Sequence, residues 1–350
     1  MGHAGCGGMG SIAGRPAIGA KDWDKGAKSM VTANRSRVVV VGTGSVGSAV
    51  SSAIVQQGLC NELVLINHNP DKAKGLAMDL ADGSEFLSRF VTIREGDWSD
   101  CARADVVVVT AGPKPKPGET RMQELGAAID IVDPILRSIA ASGFDGILIM
   151  VSNPVDVLSW FAWKRTGLPR AQVLGSGAAL DTSRLKTIIG ETTRLDPRLV
   201  SGYVIGEHGD SQFVPWSNVS FIGKSFAQYL EDNRSRYPGV TLAGIEEETR
   251  RRGLDIKGLR GGTSYGIAAT VAGLVRMILW NERGVVSVST LIDGEYEYEE
   301  HDVFLSLPVA LDGNGVGDFV DLHLNDEELS RFRASAAVVR EHCALIAGRL

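Results

Sequence analysis

Short, wholly apolar runs alternate with stretches whose apolar residues recur every three or four positions, and this alternation fills the first half of the chain. The runs at 37–41, 62–66, 91–95, 105–110 and 146–151 predict strands; most are apolar on both faces, as a strand covered from both sides must be. Between them, 45–57, 71–82 and 121–142 carry helical periodicity. Strands separated by helices predict βαβ units and a parallel sheet. Later the pattern changes. Helices are expected at 180–190, 242–257 and 264–281, and strands at 285–293 and 303–311. Asp293-Gly294 and Asp312-Gly313-Asn314-Gly315 carry hairpin-turn chemistry, so an α+β half with an antiparallel sheet is expected. Asn325 with Glu328 opens a final helix in the manner of a capping box. Leu329, Phe332, Ala336, Val339 and Cys343 line one face of it.

Composition narrows the function classes. A net charge of −6 argues against a nucleic-acid or membrane-surface partner. No apolar run approaches the length needed to span a bilayer. Cys6, Cys60, Cys101 and Cys343 are scattered without metal-ligand spacing, which fits a reducing cytoplasm and no metal site. Residues 1–33 are glycine-punctuated and lack a continuous apolar core, so they read as a flexible extension rather than a signal peptide.

Gly42-Thr43-Gly44-Ser45-Val46-Gly47 matches GxGxxG, and it lies where a strand gives way to a helix. Gly42 suits the tight turn, Gly44 the close approach to a pyrophosphate, and Gly47 close helix–sheet packing. The helix N-terminus, with Ser45 and Val46, offers backbone N–H groups to the phosphates. Together these predict a Rossmann-type doubly wound parallel sheet over residues 34–154, followed by an α+β substrate domain over 155–350. The tip of the second strand, where an acidic residue normally meets the ribose, reads Asn67. NAD is the expected cofactor, with NADP possible because no charge at Asn67 repels a 2′-phosphate. Thr110, Ala111 and Gly112 end one buried strand, and Val151 and Asn153 follow another. The carboxyl ends of such strands form the ligand crevice.

The chemistry is expected from two segments. Gly206-Glu207-His208-Gly209-Asp210-Ser211 places a histidine between glycines, and Asp181-Thr182-Ser183-Arg184 lies upstream. His208 can exchange a proton near neutrality, Asp181 can orient it, and Arg184 can clamp a carboxylate bidentately. Residues 113–121, with three prolines and Gly118, read as a lid delivering Arg121 to a reacting carbonyl.

From about residue 36 to 350 the chain resembles the L-lactate/malate dehydrogenase family, closer to the lactate branch. The matching segments, in family order, are GTGSVG, GLAMDL, GDWSDCARADVVVVTAG, KPGETR, VSNPVDVL, GSGAALDTSR, GEHGDS and GGTSYGIA. The resemblance implies an NAD(P)-dependent reduction of a 2-oxo acid to an L-2-hydroxy acid by a homodimer or homotetramer. It makes His208 the acid/base, Asp181 its partner, Arg184 the carboxylate clamp and Arg121 the carbonyl-polarising lid residue. Asn153 would contact substrate and nicotinamide, Thr263 would line the substrate pocket, and Ile267 would back the nicotinamide ring.

Some positions depart from the family. Its specificity residue, Gln in lactate and Arg in malate enzymes, falls on Pro115. Proline has neither donor nor charge for a second substrate carboxylate, which implies an apolar substrate side chain. Lys114 and Lys116 flank it and keep a dianionic substrate as the alternative. A catalytically silent nucleotide-binding scaffold is the reading from a different class. Ala128 stands where Asn is common. Lys186 and Ser201 replace the Arg and His of the sugar-bisphosphate-activated enzymes, so no such activation is expected.

Overall fold

The computed structural model describes residues 36–113, 121–295 and 300–350, without the side chains of Arg121 and Met122. The N-terminal extension, Pro115 and most of the expected lid lie outside the described residues. In chain order the main elements are β1 (Arg37–Val41), α1 (Ser45–Gln56), β2 (Glu62–Ile66), α2 (Pro70–Asp82), β3 (Thr92–Glu95), β4 (Val106–Val109), α3 (Arg121–Ala141), β5 (Ile147–Met150), α4 (Val155–Thr166), β6 (Val173–Gly175) and α5 (Ala179–Thr193). There follow β7 (Val200–Ser201), β8 (Ser220–Phe221), β9 (Lys224–Ser225), α6 (Phe226–Asp232), α7 (Leu242–Arg260), α8 (Tyr265–Leu279), β10 (Gly284–Ile292), β11 (Val303–Asp312), β12 (Gly315–Phe319) and α9 (Asp326–Ile346).

The main sheet has the order β12-β11-β10-β6-β5-β4-β1-β2-β3, and β1 to β6 run parallel. Chain direction across the sheet reverses between β1 and β4, the place where such sheets bind ligands. The unbroken valine runs are explained by burial on both faces. Val39, Val41, Val107 and Val109 point into one core with Leu125, Ile129 and Val132 of α3 and with α4. Val38, Val40, Val106 and Val108 point into the other, with Val50 and Ile54 of α1 and Val271 and Val275 of α8. Burying each such side chain contributes roughly 1.5–3 kcal/mol.

The expected antiparallel strands are present, but they do not form a sheet of their own. β10 pairs with β6 through Ser289 and Gly175, so the β10–β11–β12 meander extends the parallel sheet. Gly177 permits the approach, since a Cβ there would stand 2.3 Å from the Ser289 nitrogen. The join covers an edge of β6 that would otherwise carry unpaired backbone groups. The β-rich segment 200–205, before the histidine loop, is strand only over Val200–Ser201. Its far end forms single bridges, Ile205 with Phe213 and Gly206 with Ser306. The capping box that opens α9 forms as expected, with Asn325 accepting from the Glu328 N–H and Glu328 from the Asn325 N–H.

Candidate active site

Register places the cofactor residues in one row. Val41 is paired with Ile66 and Val109, and Val109 with Met150. The residues after these strand ends, Gly42, Asn67, Thr110 and Val151, therefore lie side by side on the carboxyl edge of the sheet. Gly42 has φ +98°, and a Cβ there would be 2.9 Å from the Ala111 nitrogen. On Gly47 it would be 1.8 Å from the Gly42 carbonyl oxygen and 2.6 Å from Thr110 Oγ1, so α1 rests directly on the turn. A Cβ on Gly44 would meet nothing within 4 Å. The loop is closed toward the protein and open outward, as a seat for a pyrophosphate must be, and the residues present fit a dinucleotide. Ser45 is exposed, and Val46 and Ile267 both pack at the fringe of the core shared by α1 and α8. Ser152 Oγ donates to the Ala111 carbonyl at 2.6 Å, tying the β4 end to the β5 end. Gly112 and Asn153 are exposed beside that tie. At the adenosine end the Asn67 amide donates to Thr43 Oγ1 at 2.6 Å and accepts from the Asn69 N–H at 2.9 Å. Replacing Gly47 with Ala should destabilise the fold by about 1–3 kcal/mol, the scale of overpacking. It should also weaken NADH binding at least tenfold, roughly the same energy. Thermal unfolding and NADH fluorescence titration check both, and parent values would show the loop tolerates the methyl.

From β6 the chain turns into α5, which holds Asp181 and Arg184 one turn apart on one face. Asp181 is 1% exposed. Its Oδ2 lies 2.6 Å from His208 Nδ1 and its Oδ1 accepts from Arg184 Nη1 at 2.8 Å. The carboxylate thus engages Nδ1 as acceptor and leaves Nε2 of His208 for a ligand. The His208 side chain is 25% exposed, so that nitrogen is reachable. Burial pulls the imidazolium toward losing its proton, but the Asp181 charge and hydrogen bond outweigh it and hold the His208 pKa above its ordinary value. Burial likewise penalises the Asp181 carboxylate, yet His208 and Arg184 hold its pKa below the usual range.

The histidine loop is pinned from several elements. Gly206 exchanges both backbone hydrogen bonds with Ser306 of β11. The Glu207 N–H donates to Ser335 Oγ of α9 at 2.7 Å, and the His208 N–H donates to Asp156 Oδ2 of α4 at 2.7 Å. Burial pushes the Asp156 carboxyl up to about 6, against the pull of Ser289 and the His208 N–H. Asp156, Ser306 and Ser335 were not anticipated. The signal for Asp156 and Ser306 is polarity inside otherwise apolar segments, VDVLSWFA and VFLSLPVA; Ser335 carries no such signal.

Of the expected catalytic set, His208, Asp181 and Arg184 come together. Arg121 opens α3, Thr263 lies between α7 and α8, and Pro115 falls outside the described residues. Ala128, where the family commonly has Asn, is fully buried in the core under α3. Among the described residues there is no cluster of His, Cys, Asp and Glu fit to hold a metal, and no helix is long and apolar enough to cross a membrane.

The chain is similar over most of its length to known proteins of one family. A family described as lactate/malate dehydrogenase, NAD binding domain, matches residues 36–175, and the lactate/malate dehydrogenase alpha/beta C-terminal domain matches 178–347. L-lactate dehydrogenase 1 of Bifidobacterium longum is 57% identical over 314 residues, 90% of this chain and 99% of that protein. L-lactate dehydrogenase 3 of Bacillus cereus is 41% identical over 310 residues, 89% of this chain and 98% of the relative. Among solved structures, a lactate dehydrogenase from a Medee basin deep-sea metagenome superposes with a TM-score of 0.85 at 38% identity, covering 90% of this chain and 99% of that one. The ligand-bound minor L-lactate dehydrogenase of Enterococcus mundtii gives 0.84 at 37% identity, covering 90% and 98%.

Proposed function

This chain belongs to the lactate/malate dehydrogenase family, and from that premise we propose that it reduces a monocarboxylic 2-oxo acid to an L-2-hydroxy acid with NADH. The observation that carries this reading is the buried Asp181 bonded at once to His208 and Arg184. When bound, the nicotinamide supplies the hydride. Arg184 holds the substrate carboxylate, and polarising the carbonyl is the role proposed for Arg121. His208, whose protonated form Asp181 favours, gives the proton from Nε2 to the carbonyl oxygen and takes it back in the reverse direction. Gly42, Gly44 and Gly47 seat the pyrophosphate, and Asn67 meets the ribose. NAD(H) is the proposed cofactor; NADP(H) is the second candidate because Asn67 carries no charge. The buried thiols of Cys60, Cys101 and Cys343 suit a cytoplasmic enzyme. Exposed Met78, Phe86 and Phe90 in and after α2, with exposed Leu254 and Leu259 on α7, are apolar surface that assembly into a homodimer or homotetramer would cover.

Pro115 supports an apolar substrate side chain. A second carboxylate there would forgo a charged hydrogen bond worth about 1.5–3 kcal/mol, roughly 10- to 100-fold in affinity. Steady-state kinetics crossing NADH and NADPH with pyruvate, a branched or aromatic 2-oxo acid, oxaloacetate and phosphonopyruvate test this. The monoanionic 2-oxo acids are expected to be turned over best. A strong preference for oxaloacetate or phosphonopyruvate contradicts the apolar pocket, and no turnover with any of them leaves a nucleotide-binding scaffold.

A further inference from the structure

Gly253 sits in the interior of α7, where a glycine weakens a helix and needs another reason to be there. Its neighbour supplies one. A Cβ built on Gly253 would stand 3.0 Å from Arg184 Nη2, 3.1 Å from Nη1 and 3.3 Å from Cζ. Contact with three guanidinium atoms at once means that the group lies against the Gly253 backbone, held there by α7 and toward Asp181 by its 2.8 Å ion pair. The same helix face touches the histidine loop: Arg250, one turn earlier, donates to the Asp210 carbonyl at 3.3 Å. Thr249 of that face is buried, and Glu246 pairs with Trp216 and Arg331.

We propose that Gly253 is a positioning residue for substrate: α7 presents bare backbone there as the seat of Arg184, and so sets the depth at which the clamp meets the substrate carboxylate relative to the acid on the histidine loop. The inference rests on Arg184 being that clamp. A methyl at 253 leaves the guanidinium a few tenths of an ångström to give. It can move only by stretching its bond to Asp181 or by tilting away from the line of a bidentate carboxylate contact, and bidentate contacts tolerate misalignment poorly. Carboxylate binding is shared by ground and transition states, so its loss appears in KM more than in kcat.

The test is Gly253→Ala beside Gly258→Ala. Gly258 is in the same helix, but a Cβ on it meets nothing within 4 Å. Both changes replace a helix glycine with the best helix former; Gly258→Ala should therefore not unfold earlier than the parent, and in Gly253→Ala the same gain offsets the displacement of the guanidinium. Gly253→Ala is expected to raise KM for the 2-oxo acid about three- to tenfold, with kcat changed less than about twofold and KM for NADH unmoved. In the NADH complex it should weaken binding of oxamate, an isosteric anion that accepts no hydride, by the same factor. Gly258→Ala should match the parent in all of these. Parent-like KM and oxamate affinity in Gly253→Ala overturn the seat alone, as does an equal change in both variants. A parent that neither turns over a 2-oxo acid nor binds oxamate overturns the seat together with the proposed reaction.

Discussion

His208→Asn is expected to lower kcat for 2-oxo acid reduction about 10³-fold, within the 10²–10⁴-fold that a positioned general acid supplies. Asparagine has no proton to give near neutrality, so the carbonyl oxygen would have to take one from water. NADH affinity should stay within about twofold, because the cofactor row on the sheet edge is built from other strands and a different loop. The fold should also hold. The loop is fastened by the 208 backbone N–H to Asp156, by Gly206 to Ser306 and by Glu207 to Ser335, and none of these uses the imidazole. Stopped-flow turnover with NADH titration measures both quantities. Unchanged turnover would remove His208 from the reaction, and a loss of NADH binding parallel to the loss of rate would make its role structural.

The second large effect is expected at Asp181, where exchange to Asn should cost roughly 10³–10⁴-fold in kcat/KM, the scale of the same exchange in other carboxylate–histidine pairs. One buried carboxylate serves two cations here. Its Oδ2 orients Nδ1 of His208, and its Oδ1 holds Arg184. An amide can accept with one atom only, so either the histidine or the arginine faces an N–H₂ group. The charge is lost as well. Burial and the Arg184 charge then act on His208 against Asp156 alone, and its pKa is expected to fall. The linkage has a definite sign. Because the folded-state pKa of His208 is raised and that of Asp181 lowered, their contact stabilises the native state fully between the ordinary values of 3.8 and 6.5; that stability is lost as pH rises through the raised His208 value, and again as pH falls through the lowered Asp181 value. Urea unfolding of the parent and Asp181→Asn at several pH values measures that contribution; it should shrink or vanish in the variant.

How much of this was legible in the chain depended on whether a residue's role shows in its neighbours along the sequence. Gly42 and Gly47 were readable because a turn and a close helix contact admit no side chain, and the structure puts backbone where their Cβ would be. The valine runs of β1 and β4 were readable because burial on both faces removes every polar position. Asp181 and Arg184 were readable together because three residues make one helical turn. By contrast α4 escaped notice. Residues 155–162 are all buried, so the helix has no polar face and no stripe for periodicity to find. With it went Asp156, whose partner is a backbone N–H 52 positions away. The joining of β10 to β6 depends on a single pairing, Ser289 with Gly175, that local pattern does not encode. Gly253 likewise reads only as a weak helix residue until Arg184 of α5 is seen lying on it.

Reduction as proposed requires a protonated His208, favoured by Asp181, to deliver the proton to a 2-oxo acid. The pH dependence of kcat/KM for pyruvate with saturating NADH tests it most directly, since that quantity reports the acid of the enzyme before substrate binds. Full activity is expected on the acid side and a single loss as pH rises through a value above 6.5, with that limb displaced to lower pH in Asp181→Asn. A profile that stays flat across about pH 5 to 9, or a limb that does not move when the carboxylate is removed, would contradict it.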